Sequence, residues 1–160
     1  MLVMDQFTRR IIGFAVSAGD LDGPAVCRMF SEAVARTDTL PRCLSSDHDP
    51  LFEFHRWKAN LRILDVTEVK TVPYVPLSHP FVERLIGTIR REFLDFVPFW
   101  TTRDLERKLA GFMRYYNRQR VHCGLDGAIP DTAFPTKVVH LDDYRWESCC
   151  RGLYQLPAAA

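Results

Sequence analysis

Two carboxylates stand where chemistry is possible. Glu83 lies in Ser78-His79-Pro80-Phe81-Val82-Glu83-Arg84-Leu85-Ile86-Gly87-Thr88-Ile89-Arg90-Arg91-Glu92-Phe93-Leu94-Asp95, where Val82, Leu85, Ile86, Ile89 and Phe93 recur at helical spacing. Glu83, Gly87, Arg90 and Arg91 fall on the opposite side of that helix. Taken alone, a glutamate near a helix N-terminus reads as a solvated charge. Asp47, in Leu44-Ser45-Ser46-Asp47-His48-Asp49-Pro50-Leu51-Phe52, precedes it with 35 residues between the two. Acids from distant segments have a second possible role, because hard divalent cations take oxygen ligands and an amide in their place would bring no charge.

The segments around these acids have to hold them. Pro41 to Ser46 reads as a short strand that delivers Asp47 to its end, and strand ends are where open α/β sheets build sites. Upstream, Met1 to Met4 and Arg10 to Val16 read as two strands joined through Asp5-Gln6-Phe7-Thr8-Arg9. Asp20 or Asp22 caps a helix that Pro24 helps to start, with Val26, Met29, Phe30 and Val34 inward. Leu51 to Asn60 reads as a short helix through Phe54, Trp57 and Leu61, and Leu61 to Thr67 as a returning strand. Val69 to Ser78 contains Pro73 and Pro76 and is no regular helix. Thr101 or Thr102 caps a later helix, with Leu105, Leu109, Phe112, Met113 and Tyr116 inward and Arg103, Arg107, Lys108 and Arg114 outward. Beyond about residue 140 no motif appears, and the end is expected to fray.

Composition sets wide bounds. A chain of 160 residues suits one domain with a core, and 47% apolar with 26% charged residues is ordinary for a soluble globular protein. A net charge of +1 neither requires nor excludes a basic face for nucleic acid. Cys27, Cys43, Cys123, Cys149 and Cys150 are odd in number and lack metal-ligand spacing, which points to reduced thiols in a cytoplasm rather than disulfides or structural zinc. No leader pattern and no long apolar run appears, so neither export nor a membrane partner is expected.

The spacing of Asp47 and Glu83, with Arg90 seven positions after the glutamate, resembles the catalytic cores of integrases and insertion-sequence transposases. That family has a ribonuclease H-like fold and an Asp-Asp-Glu triad. Ser46-Asp47 with Phe52 is similar to its second-acid segment, and Glu83-Arg84 to Arg91-Glu92 to its third-acid helix. Tyr115-Tyr116-Asn117, Arg120, His122, Leu125 and Ala128-Ile129-Pro130 resemble its closing signature, departing at Val121 and Ile129. The resemblance covers about residues 1–135 as the catalytic core and leaves 136–160 as a C-terminal tail.

The resemblance implies an α/β fold, a ribonuclease H-like mixed sheet flanked by helices. It implies DNA transposition or integration by phosphoryl transfer, with Mg²⁺ or Mn²⁺ held by Asp47 and Glu83 as the catalytic ligands. Two such ions about 3.5–4 Å apart stabilise charge on the attacking and leaving oxygens. Arg84, Arg90 and Arg91 would face DNA phosphates, with Arg120 and His122 either closing the structure or also touching the backbone. The family's first acid lies upstream of the Asp5 segment, on a first strand that this chain lacks, and Asp5 is not that residue by motif position. The polypeptide is therefore expected to be a truncated and inactive transposase fragment, and enzymatic activity is left open. The alternative is a non-catalytic DNA-binding or assembly module that forms a homo-oligomer or pairs with a full-length transposase. His79, four residues before Glu83, is read as a cap or loop contact more than as a catalytic group.

Overall fold

The computed structural model describes residues 1–35, 40–71, 80–131 and 144–159. They fall into two compact units, the first made of Met1–Asp5 and Ile11–Pro98, the second of Gln6–Arg10 and Phe99–Ala160.

The first unit opens with β1 (Leu2–Met4) and β2 (Ile11–Phe14), an antiparallel pair with an irregular register between Val3 and Met4. Helix α1 (Gly23–Val34) starts as its sequence predicts: the Asp22 carboxylate accepts from the Ala25 amide at 2.7 Å, and Pro24 occupies the first turn. Its stripe of Val26, Met29, Phe30, Ala33 and Val34 is buried. α1 lies so close to β2 that a Cβ on Gly13 would fall 1.9 Å from the Ala33 carbonyl oxygen.

Strand β3 (Cys43–Ser46) pairs in parallel with β4 (Thr67–Lys70), with helix α2 (His55–Ile63) on the crossover between them. One expectation is corrected here. Residues 61–63 finish α2, so the returning strand begins at Thr67 instead of Leu61. The reason is local: Asp65 takes a left-handed φ of 55°, and the Val66 amide folds back onto the Leu61 carbonyl, which closes the helix before an extended segment can start. Among the described residues β1–β2 and β3–β4 are separate ladders, and no backbone pairing joins them into one sheet. What they share is a core: Val26, Phe30 and Val34 of α1, Trp57 and Leu61 of α2, and Val66, with Val3, Ile12 and Leu44 packed against them.

Helix α3 (Pro80–Ile89) continues into a π-turn over Arg90–Leu94, where the Asp95 amide donates to the Arg90 carbonyl. Leu85, Thr88 and Phe93 are buried. Ile86, expected in the apolar stripe, is 49% exposed. The buried face centres on Leu85 and Thr88, and Ile86, about 100° round the helix from Leu85, falls outside it, while Phe93 is buried from within the π-turn. The loop and His79 expectations fall on residues 72–79, outside the described residues.

In the second unit, α4 (Thr102–Arg118) is capped by Thr101, whose hydroxyl accepts from the Asp104 amide at 3.1 Å. Phe112 and Tyr116 are buried as the pattern requires. Lys108, expected outward, is buried as well, because its ammonium is tied to the Asp104 carboxylate one turn earlier. The frayed end is also corrected: β5 (Tyr144–Cys149) and β6 (Tyr154–Ala159) form an antiparallel hairpin. It is ordered against α4 by the Tyr115–Tyr154 stack, with ring centres 4.3 Å apart, by Cys149 Sγ at 3.5 Å from Gln119 Oε1, and by Arg151 at 3.7 Å from Asp104. The boundary expected near residue 135 lies outside the described residues. All the cysteines are free thiols, and no described helix is long and apolar enough to cross a membrane.

Candidate nucleic-acid and metal site

Asp47 is exposed and directly follows the last residue of β3. Its carboxylate accepts from the Asp49 amide at 3.1 Å, and its carbonyl accepts from Lys70 Nζ at 3.1 Å. The next residue is fixed as well, with His48 Nε2 at 2.7 Å from the Thr71 carbonyl. Behind the loop, Glu68 Oε1 accepts from Ser46 Oγ at 2.6 Å and from Trp57 Nε1 at 2.8 Å, and pairs with Lys70 Nζ at 3.1 Å. Burial pushes the Glu68 carboxyl upward, but the hydrogen bonds from Ser46, Trp57 and Lys70 outweigh it and hold the group below its ordinary value. Lys70 also pairs with Glu53 at 3.1 Å and lies over the Phe52 ring.

Glu83 is exposed in the first turn of α3, where the helix dipole favours a carboxylate. Arg84, Arg90 and Arg91 are exposed on the same continuous helical segment. Arg91 folds back over Gly87, so that a Cβ there would meet its guanidinium at 3.1 Å. Gly87 lies one turn beyond Glu83, and the absence of a side chain leaves room for that cation.

Arg120 and His122 are brought together in the second unit around Tyr116. The Arg120 guanidinium lies 5.5 Å from the Tyr116 ring centre, the His122 ring meets Tyr116 edge-on at 4.7 Å, and Arg120 Nη1 is 3.5 Å from His122 Nδ1. The His122 amide bonds the Ala128 carbonyl and the Asp131 amide bonds the Asn117 carbonyl, so this signature does close the end of α4.

Among the described residues no group of three or more His, Cys, Asp or Glu side chains is gathered to hold a metal ion. Asp47 and Glu83 nevertheless fit a hard divalent cation in type, since Mg²⁺ is commonly held by one or two carboxylates with water and substrate phosphate completing its shell. Sequence reasoning missed Glu68 and Lys70. Their signal was the alternation in Thr67-Glu68-Val69-Lys70, which puts Glu68 and Lys70 on the more buried face of β4.

A family model described as an integrase core domain matches residues 64–130, which include Glu83 and the arginines but not Asp47. The chain is 27% identical over 134 residues to an uncharacterized 39.2 kDa protein of insertion element IS476 from Xanthomonas euvesicatoria, covering 84% of this chain and 38% of that protein. It is 24% identical over 129 residues to the transposase for insertion sequence element IS904 from Lactococcus lactis, covering 79% of this chain and 51% of that one. The chain thus spans about half or less of the length of these relatives. Among solved structures, the catalytic core domain of BIV integrase superposes with a TM-score of 0.61 at 22% identity, covering 81% of this chain and 80% of that one. A chain from the simian T-cell lymphotropic virus intasome, in complex with PP2A regulatory subunit B56 gamma, gives 0.58 at 19% identity, covering 98% of this chain and 60% of that one. The shared fold is the mixed α/β, ribonuclease H-like architecture of integrase cores.

Proposed function

We propose that this chain, an integrase/transposase catalytic core, carries part of a site for DNA transposition or integration by metal-dependent phosphoryl transfer and has little or no activity by itself. The observation that carries the reading is the placement of Glu83: exposed in the first turn of α3, inside the integrase-core match, on a helical segment that also exposes Arg84, Arg90 and Arg91. Asp47, exposed at the end of a parallel strand, supplies the second carboxylate. Asp47 and Glu83 would hold Mg²⁺ or Mn²⁺, which when bound stabilises the charge that develops on phosphoryl oxygens. Arg84, Arg90 and Arg91 hold the DNA backbone beside Glu83, and Arg91 reaches its position across Gly87. Arg120 and His122 close the end of α4 and add a further phosphate contact.

The partner is DNA, both element ends and target, with a second copy or a full-length transposase as the protein partner. The alternative, a DNA-binding or assembly module without chemistry, uses the same exposed Arg84, Arg90 and Arg91 to hold phosphates or to pair with an intact transposase. Mn²⁺ titration of the full chain by calorimetry, alongside duplex binding at several salt concentrations, separates the two. The catalytic-core reading expects Asp47→Asn and Glu83→Gln each to weaken Mn²⁺ binding by tenfold or more while DNA affinity is kept. Loss of Arg84 or Arg91 should lower the salt slope by about one. Mn²⁺ binding indifferent to both acid variants would leave only the assembly module.

A further inference from the structure

Beside Asp47 stands a partly buried cluster of charges that the proposed function does not use. Glu68 and Lys70 lie two residues apart on one face of β4 and reach the neighbouring strand end by two routes. Glu68 takes the Ser46 hydroxyl and the Trp57 indole N–H on one carboxylate oxygen, which ties the last residue of β3 to the core of the unit. Lys70 donates to the Asp47 carbonyl and to the Phe52 carbonyl, at 3.1 and 3.4 Å, and so grips both ends of the turn that follows the strand. Glu53 and Glu68 flank the ammonium, each at 3.1 Å. A charged group has been drawn into a setting where its side chain is only 24% exposed. Desolvation makes that arrangement costly unless the bonds are all made, and their geometry fixes the backbone that carries the Asp47 carboxylate.

We propose that the Glu68–Lys70 pair is a positioning latch for Asp47, holding the strand end and the following turn so that the carboxylate is presented in one orientation to a divalent cation. The proposal rests on the reading of Asp47 as a ligand, and it makes a prediction of unexpected sign. A cation beside a metal site repels the metal, so a Lys70 that acted only through its charge would bind Mn²⁺ more tightly once neutralised. A latch predicts the opposite.

The test uses Mn²⁺ alone with the full chain, read by calorimetry and by paramagnetic broadening of the Asp47 and Asp49 amide resonances. Wild type, Lys70→Met, Lys70→Arg, Ser46→Ala and Asp47→Asn are compared after thermal melts establish that each is folded. Lys70→Met is expected to raise the Mn²⁺ dissociation constant about tenfold and to speed hydrogen exchange of the Asp49 amide, with exchange in α4 unchanged. Lys70→Arg, which keeps the charge and part of the bonding, is expected to recover at least half of that loss on a logarithmic scale. Ser46→Ala, which leaves Lys70 intact, should weaken Mn²⁺ about threefold and serves if Lys70→Met does not fold. Binding unchanged or tightened in Lys70→Met, or in Ser46→Ala if only that variant folds, overturns the latch provided that Asp47→Asn weakens it. If Asp47→Asn has no effect, the ligand reading itself fails and the latch falls with it.

Discussion

Gly13 is the position where a single methyl group should be felt throughout the first unit. A Cβ there would sit 1.9 Å from the Ala33 carbonyl oxygen and 2.6 Å from its carbon, both backbone atoms of α1. Neither can turn aside as a flexible side chain would, so the helix must retreat by about 1.5 Å to reach ordinary contact. Val26, Phe30 and Val34 face the core from that helix and are 1–3% exposed. Burial of each is worth about 1.5–3 kcal/mol, and a gap of only about 0.5–1 Å already forfeits a quarter to a half of the contact, which is the minimum for the larger retreat here. The expected loss in Gly13→Ala is therefore at least roughly 1–4 kcal/mol. That corresponds to a melting temperature lower by roughly 3–15 °C for a chain of this size. Thermal melts followed by circular dichroism measure it, with Gly19→Ala as the control, since a Cβ at Gly19 meets nothing within 4 Å. A Gly13→Ala protein melting within 1 °C of wild type would refute the claim that helix and strand touch backbone to backbone.

Trp57→Phe keeps an aromatic ring in the core but removes the donor that reaches Glu68 at 2.8 Å. A hydrogen bond to a charged group contributes about 1.5–3 kcal/mol, and because Ser46 and Lys70 still serve Glu68 the lower end is expected; a urea-unfolding difference under about 0.5 kcal/mol would count against the network. Asp104 is held down to about 2 chiefly by the Lys108 ammonium, with Arg107 assisting against burial. Its folded value lies below the unfolded one near 3.8, so its contribution is complete above that value and disappears as pH falls toward 2. Urea midpoints between pH 6 and pH 2 should therefore show wild type losing its advantage over Asp104→Asn only in the acid part of the range; a gap constant across pH would contradict the ion-pair account.

Much of this protein was legible in its sequence, for reasons that are local. Asp22 with Pro24, and Thr101 with Asp104, are cap signals that act within one turn, and the helices begin where those signals stand. Helical spacing identified the buried Val26, Phe30, Phe112 and Tyr116 because burial of a stripe is encoded residue by residue. The spacing of Asp47, Glu83 and Arg90, with the Tyr115 to Pro130 signature, was enough to reach the integrase-core resemblance that the relatives and solved structures support. What tertiary structure alone decided were the contacts between distant segments. Lys108 reads as a surface residue until Asp104 is seen to neutralise it, and Ile86 reads as core until the buried face is seen to centre on Leu85 and Thr88. The hairpin of 144–159 has no motif of its own and is ordered by what α4 offers it. Glu68 and Lys70 look like an ordinary charged strand, and only the parallel register that sets Ser46 opposite Lys70 turns them toward Asp47. A side chain's type fixes which bonds it can make, but whether a charge is solvated or confined depends on partners far along the chain, which only the packed fold supplies.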